Sequence, residues 1–109
     1  MMKRVYISGP IDHHEYNERL TAFDKAQKDL QALGYKVINP MHNGLPKNAT
    51  RQEHMAQDIM MLITCSKIYM LKGWQDSKGC KLELDIATTI GLDVLFEHPA
   101  QYVAQFDDF

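Results

Sequence analysis

The sequence has little that would bind a polyanion or cross a membrane. Its 12 lysine and arginine residues stand against 14 aspartate and glutamate residues, which gives a net charge of −2. Without a basic surplus we expect no nucleic acid polymer as a partner, although a few local donors suffice for a small phosphate. The longest apolar run, over residues 59–63, is far shorter than the roughly 20 residues that span a bilayer, so we expect no membrane partner.

Cysteines and recognisable cofactor motifs are equally scarce. Cys65 and Cys80 are the only cysteines, and residues 1–9 contain no apolar segment of signal-peptide length, which together indicate a reducing, cytoplasmic location. The five histidines show no His-Glu-x-x-His spacing, and no Cys-x-x-Cys pair exists, so we predict no metal site. Walker and dinucleotide-binding glycine motifs are missing too, and we predict no cofactor.

Short apolar segments alternate with helical periods along the chain. Strands are predicted over residues 4–8, 36–38, 67–71 and 93–96. Helices are predicted over residues 16–33, from the capping box Thr50-Arg-Gln-Glu53 onward, over 80–90, and briefly over 99–106. Such alternation favours a parallel sheet with right-handed crossovers. We therefore predict one domain over residues 1–109, a doubly wound, flavodoxin-like α/β fold with strand order 2-1-3-4.

This topology places a ligand site beyond the carboxyl ends of strands 1 and 3, where the strand order reverses. Two loops meet there, one formed by Ser8, Gly9, Pro10 and Ile11 and the other by residues 73–79. Both contain small and hydroxylated residues, and the second leads into a helix N-terminus, which favours anions. We predict that both loops contact the substrate, although either one alone is also typical of an ordinary tight turn.

Glu83 is the most informative single residue. It falls within the apolar stripe of the third predicted helix, which consists of Leu82, Ile86, Ala87 and Ile90, whereas Leu84 points elsewhere. We predict an inward carboxylate in the first turn, kept ionised by the helix N-terminus. A buried carboxylate is costly unless it is paired or functional. The alternative is a capping carboxylate with its head in solvent.

Three further side chains are candidates for the site, and each of them also has an ordinary structural interpretation. Asp58 lies at the edge of the apolar face of the second helix, where solvated residues are common. Tyr6 lies in the first strand and is equally typical of a core aromatic. Trp74 lies in the second loop, where it either stacks on a base or covers the core.

Four segments carry a resemblance to a known family. They are Tyr6-Ile-Ser-Gly-Pro10, Gly34-Tyr-Lys-Val-Ile-Asn-Pro40, Asp58, and Gly73-Trp-Gln-Asp-Ser-Lys-Gly-Cys-Lys-Leu-Glu83 with Ala87. Together they resemble the nucleoside 2-deoxyribosyltransferase superfamily over nearly the whole chain. The likeness is greatest to its small, often phage-encoded branch and extends to its nucleoside 5′-monophosphate N-glycosidases.

The resemblance implies an enzyme that cleaves the N-glycosidic bond of a nucleotide or nucleoside, or transfers the sugar to another base. Glu83 would attack the anomeric carbon and form a glycosyl-enzyme ester, with Tyr6 orienting it. Asp58 would position the sugar and supply a proton to the leaving base. Ser77 and Gly79 would bind the 5′ end of the sugar. Because the transferases that act on free nucleosides usually carry an acidic residue at the position of Ser77, we expect a 5′-phosphate here.

The resemblance also implies a homodimer or larger homo-oligomer, since the family builds its pocket at subunit contacts. We expect the aromatic residues of segment 102–109 to cover a neighbouring subunit. Two departures from the family pattern stand out: residues 10–16 lack the arginine of some nucleotide hydrolases, and Leu84-Asp85 follows the nucleophile where a glycine is often found. The alternative to an enzyme is a nucleotide-binding module, a sink or sensor, without turnover.

Overall fold

A computed structural model describes residues 2–98. Its four strands are β1 (Arg4–Ser8), β2 (Lys36–Ile38), β3 (Lys67–Met70) and β4 (Asp93–Phe96). All three strand pairs are parallel, and the order is β2-β1-β3-β4. The predicted flavodoxin-like α/β fold with strand order 2-1-3-4 is therefore confirmed. The last predicted helix and the aromatic segment 102–109 lie outside the described residues.

Three helices connect the strands: α1 (Tyr16–Ala32), α2 (Arg51–Leu62) and α3 (Lys78–Thr89). The capping box at the start of α2 is confirmed, because the Thr50 hydroxyl accepts from the Glu53 N–H at 3.1 Å and the Glu53 carboxylate accepts from the Thr50 N–H at 2.8 Å. Within residues 2–98, no helix is both long and apolar enough to cross a bilayer.

Helix α3 begins two residues before its predicted start. Ser77 is its N-cap, and the Ser77 Oγ accepts from the backbone N–H of Cys80 at 3.2 Å. Serine is among the strongest N-cap residues, and this preference prevails over the helix-weakening Gly79 in the first turn. The predicted location of Glu83 in the first turn is therefore wrong, because it is the sixth residue of α3 and lies in the second turn.

The sheet is covered on both faces, and β1 divides its side chains between them. Val5 and Ile7 pack on α1, together with Phe23 and Leu30. The other face packs on α2 and α3, with a buried cluster of Tyr6, Leu62, Cys65, Ile68, Met70, Trp74, Cys80 and Ala87. Because side chains alternate along a strand, Ser8 follows Tyr6 onto the α2 and α3 face. All the catalytic candidates therefore lie on this one face.

The buried face of α3 is rotated from the predicted stripe. Leu82 and Ile90 are 40% and 49% exposed. Ala87 of the predicted stripe is buried and Ile86 packs against the core, as predicted. Cys80 is buried as well, and Leu84, which was predicted to point elsewhere, also packs against the core. Periodicity alone did not reveal which leucine stays in solvent.

Candidate active site

A cleft of about 1200 Å³ opens where β1 and β3 end. This is the point of strand-order reversal at which open α/β sheets bind ligands. Eight of the ten predicted site residues line it: Tyr6, Gly9, Pro10, Ile11, Asp58, Ser77, Gly79 and Glu83. The cleft is somewhat larger than the 300–1,000 Å³ typical of small-molecule sites, so a nucleotide fits within it.

The Glu83 carboxylate is held by two hydroxyl groups from the central strand β1. The Tyr6 hydroxyl donates to Glu83 Oε2 at 2.5 Å, and the Ser8 hydroxyl donates to Glu83 Oε1 at 2.7 Å. Tyr6 and Ser8 are two residues apart on a strand and therefore share a face. Each carboxylate oxygen has one fixed donor and keeps a lone pair for a further contact. The orientation of this carboxylate is thus set by the sheet.

Burial governs the protonation of this group. Desolvation raises the pKa of Glu83 to about 7, although the hydrogen bonds from Tyr6 and Ser8 oppose that rise; the nearby charge of Asp58 adds to it. The expectation that the helix N-terminus keeps Glu83 ionised is therefore wrong below about pH 7, because desolvation outweighs a dipole one turn away. Burial, with Glu83 beside it, raises the pKa of Tyr6 well above its usual value, so Tyr6 remains a donor.

Asp58 occupies the α2 side of the same cleft. Its Oδ1 accepts from the Asn43 amide at 2.9 Å, and the same amide nitrogen lies 3.0 Å from His54 Nδ1. Burial raises the pKa of Asp58, while Asn43 and then His54 oppose the rise. Sequence reasoning missed Asn43 and His54. The only signal was the position of His54 four residues before Asp58, which places both on one face of a helix.

The N-terminus of α3 faces the cleft at the predicted phosphate end. Ser77, Lys78 and Gly79 all line the cleft. The Ser77 oxygen accepts a bond from Cys80, which leaves its hydroxyl hydrogen to donate. Among the described residues, no acceptor is bound to the N–H groups of Lys78 and Gly79, as expected for the first turn of a helix.

The loop after β1 is built on a close approach of the backbone to the core. A Cβ atom at Gly9 would lie 2.6 Å from Leu71 Cδ1 and 3.0 Å from Phe23 Cζ. Only glycine fits there without displacing its neighbours. Gly9 therefore lets the loop pass close to the core, and Pro10 and Ile11 line the cleft.

Basic residues from elsewhere in the chain hold that loop. The Arg19 Nε donates to the Pro10 carbonyl at 2.6 Å, and Arg51 pairs with Asp12 at 3.3 Å. Both arginines line the cleft. Residues 10–16 contain no arginine, and α1 and α2 bring these two guanidinium groups to the cleft.

Two predicted substrate-binding residues lie behind the cleft wall. Ser8 is fully buried and its hydroxyl is bound to Glu83. Trp74 is 6% exposed, and its ring centroid lies 5.9 Å from that of Phe96. Trp74 thus covers the core, which was the alternative to base stacking. Within residues 2–98, no group of three or more histidine, cysteine or acidic side chains is placed to hold a metal ion.

Comparison with known proteins agrees with this architecture. No curated protein matches the sequence. The fold is similar to that of a 2-desoxiribosyltransferase from Leishmania mexicana, with a TM-score of 0.65 and 19% identity over 86% of this chain. The matched region is 63% of that protein, so this chain spans less than two thirds of its length, and at this identity the likeness shows the fold alone. Residues 3–96 match the family described as "Domain of unknown function (DUF4406)", and the chain therefore belongs to that family.

Proposed function

We propose that the protein cleaves the N-glycosidic bond of a nucleoside 5′-monophosphate, with Glu83 as the nucleophile. The observation that carries this proposal is the Glu83 carboxylate itself, partly buried in the cleft wall and held by one hydroxyl on each oxygen. A carboxylate fixed in this way at a ligand cleft is suited to attack an electron-poor carbon. The sugar phosphate then passes to water in a hydrolase, or to a second base in a transferase.

The chemistry follows that of retaining glycosidases. As the bond to the base breaks, its electron pair leaves with the base and the anomeric carbon gains oxocarbenium character. Glu83 stabilises this charge and forms a glycosyl ester. Water then attacks the ester and releases the sugar phosphate and the Glu83 carboxylate. Tyr6 and Ser8 orient Glu83 throughout.

Asp58 is the proton donor to the leaving base in this proposal. It shares the cleft with Glu83, and burial raises the pKa of both groups, so the two roles are assigned by the fixed position of Glu83 and not by pKa. Two carboxyl groups in different environments are the usual arrangement for a nucleophile and an acid in one site. The bond from Asn43 then stabilises the carboxylate that forms when the proton leaves.

The N-terminus of α3 supports a 5′-phosphate. The Ser77 hydroxyl and the N–H of Gly79 are donors suited to an anion, and the helix dipole adds positive potential. A free 5′-hydroxyl has no need of several donors. Lys78 and Asp76 both line the cleft beside Ser77 and offset each other in charge, so the donors of the helix N-terminus carry this part of the proposal.

We also propose that the active unit is a homodimer or larger assembly, acting in the cytoplasm as one domain per chain. Large apolar side chains are exposed along α2 and α3, among them Met60, Leu82 and Ile90 at 63%, 40% and 49%. A second copy is the simplest cover for them. Light scattering at micromolar concentration should show an assembly, and a monomer alone would contradict this part of the proposal.

A direct test incubates the purified protein with a panel of nucleosides and their 5′-monophosphates, followed by mass spectrometry. Release of free base by the wild type, but not by Glu83→Ala, is the expected result, and an acid-quenched sample should show a sugar-phosphate adduct on the wild type. Intact bound nucleotide with no free base would instead identify a nucleotide-binding module. Absence of both would remove nucleotides from the interpretation.

A further inference from the structure

Asn43 is a buried polar side chain between the β2–α2 loop and α2. It is 8% exposed, and its Oδ1 accepts from the backbone N–H of Leu45 at 3.0 Å. Because a backbone N–H only donates, this bond fixes which end of the amide is oxygen. The amide nitrogen of Asn43 therefore faces α2 with two hydrogens to donate.

Both hydrogens have an acceptor on α2. The Asn43 Nδ2 lies 2.9 Å from Asp58 Oδ1 and 3.0 Å from His54 Nδ1. An amide nitrogen has no lone pair to accept a bond, so His54 Nδ1 must be the acceptor. The neutral imidazole then carries its hydrogen on Nε2. Asn43 thus selects one tautomer of His54 while it holds Asp58.

The selected tautomer leaves a donor for the cleft. His54 and Asp58 are four residues apart on α2, so they are neighbours on one helix face, and both line the cleft with Glu83. Among residues 2–98, no group is bound to His54 Nε2. The reaction proposed above uses Asp58 and Glu83 and gives this N–H no role.

We propose that His54 is a further residue of the site, a neutral Nε2–H donor to an acceptor atom of the leaving base, and that Asn43 is its positioning residue. This inference rests on the proposed function and extends it to the base. In the cleavage step the glycosidic electron pair goes to the base and the proton comes from the Asp58 carboxyl group. His54 moves no proton; its hydrogen bond strengthens as negative charge develops on the base. The water that later attacks the ester returns a proton to Asp58.

The tautomer is tested first, because it can be measured without any substrate. Histidine labelled with ¹⁵N, observed at pH 8.5, should show His54 protonated on Nε2, with the signal assigned by its loss in His54→Gln. In Asn43→Asp one carboxylate oxygen still accepts from the Leu45 N–H, so that anchor of the loop is kept. The other oxygen loses the bond to Asp58 and offers His54 an acceptor in place of a donor. The proton of His54 should therefore move to Nδ1.

Activity is tested with a matched pair of substitutions. The side-chain nitrogen of glutamine approximates Nε2 and still donates there. The shorter asparagine can place its carbonyl oxygen near the position of Nδ1, where it accepts from Asn43, but it has no donor at the position of Nε2. His54→Gln should therefore retain more activity than His54→Asn, in which kcat falls about tenfold, the value of one lost hydrogen bond in the transition state. His42→Gln, which changes a histidine outside the cleft, is the control.

The leaving base separates a donor to the base from a merely structural role. The comparison is between guanine and 7-methylguanine monophosphates, or between uracil and 5-fluorouracil monophosphates, according to the class that the wild type releases. An activated base depends less on hydrogen bonds from the enzyme, so the defect of His54→Asn should shrink at least threefold on the activated member. A structural defect would be the same on both.

The outcomes distinguish this inference from the proposed function. An Nδ1–H tautomer in the wild type, or equal activity of His54→Gln and His54→Asn, would overturn the role of His54 while base release that depends on Glu83 survives. If the wild type releases no base from any nucleotide, both fail. An Nε2–H tautomer that switches in Asn43→Asp, together with the leaving-base effect, supports the inference.

Discussion

The two carboxyl groups of the cleft, Glu83 and Asp58, are supported in opposite ways. Glu83 receives hydroxyl bonds on both oxygens from the central strand, so the most rigid part of the sheet fixes it. Asp58 receives one amide bond from Asn43, which belongs to a loop. Burial raises the pKa of both, to about 7 for Glu83. A group that attacks needs an exact position, whereas a group that delivers a proton tolerates adjustment.

The two carboxyl groups also differ in how far along the sequence their hydrogen-bond partners lie. The partners of Glu83 are 75 and 77 residues distant along the chain, so the nucleophile is assembled only when β1 and α3 pack together. The hydrogen-bond partner of Asp58 is Asn43, only 15 residues away, and Asn43 also bonds His54, which lies four residues before Asp58 on α2. Substitutions that perturb the sheet should therefore affect Glu83 first.

The largest expected effect separates the two roles. Glu83→Ala removes nucleophile and charge stabilisation together and should lower kcat by about a thousandfold or more. Asp58→Asn removes only the proton and should cost about a hundredfold. Nucleotide binding, measured by calorimetry, should largely survive in both. A well-folded Glu83→Ala protein with near-wild-type turnover would remove Glu83 as the nucleophile, and equal losses would erase the contrast between the two groups.

Stability should show the cost of burying Glu83. Its pKa is higher in the folded protein than the ordinary 4.5, so folding takes up a proton between pH 4.5 and about 7, and wild-type stability falls as pH rises through that window. At about 1.4 kcal/mol for each pH unit, the loss reaches at most about 3 kcal/mol. Glutamine does not titrate, so Glu83→Gln lacks this dependence of stability on pH.

The measurement is denaturant unfolding of both proteins at pH 5 and pH 8. Glu83→Gln should gain stability relative to the wild type at pH 8, and most of that gain should vanish at pH 5. A difference that does not change with pH would show that the folded protein does not perturb Glu83. Asp85→Asn, an exposed change on the same helix, is the control.

Removal of either hydroxyl should reduce activity less than removal of the carboxylate. Tyr6→Phe and Ser8→Ala each delete one bond to Glu83 and should lower kcat/KM by about tenfold at pH 7. Both bonds lower the pKa of Glu83, so the rise of kcat/KM with pH should shift to higher pH in each variant. Tyr69→Phe is the control, because Tyr69 packs on the opposite face of the sheet. Unshifted profiles would mean that the bonds do not tune Glu83.

Short-range signals in the sequence predicted the parts of this site that local geometry determines. The capping box at Thr50 and the inward direction of Glu83 depend on spacing along one helix, and both could be derived. Tyr6 and Ser8 are two residues apart on one strand and therefore share a face, so the sequence alone could have predicted that both contact the same group. The bonds themselves depend on how α3 packs on β1, which no local pattern reveals.

The remaining features depended on loop paths. Asn43 reaches α2 because Asn39, just before it, fixes the turn after β2 with bonds to Asp24 and Met41. Trp74 turns into the core because a short 3₁₀ turn follows β3. Neither path has a periodic signature. The histidines lack metal-ligand spacing, and the place of His54 in the site depends on its contact with Asn43, which no spacing in the sequence reveals.

The smallest expected effect concerns the phosphate end and uses an isosteric pair at Ser77. Asparagine and aspartate are both good N-caps, so Ser77→Asn and Ser77→Asp should each keep the bond to the Cys80 N–H and the start of α3. They differ in one negative charge. Hydrogen bonds to a charged group contribute about 1.5–3 kcal/mol, so replacing the Ser77 donor by a carboxylate should lower kcat/KM for the monophosphate at least about tenfold relative to the nucleoside. In Ser77→Asn the same ratio of kcat/KM values should fall much less. If all three proteins treat nucleoside and monophosphate alike, the phosphate does not bind beside Ser77, although Glu83 remains the proposed nucleophile.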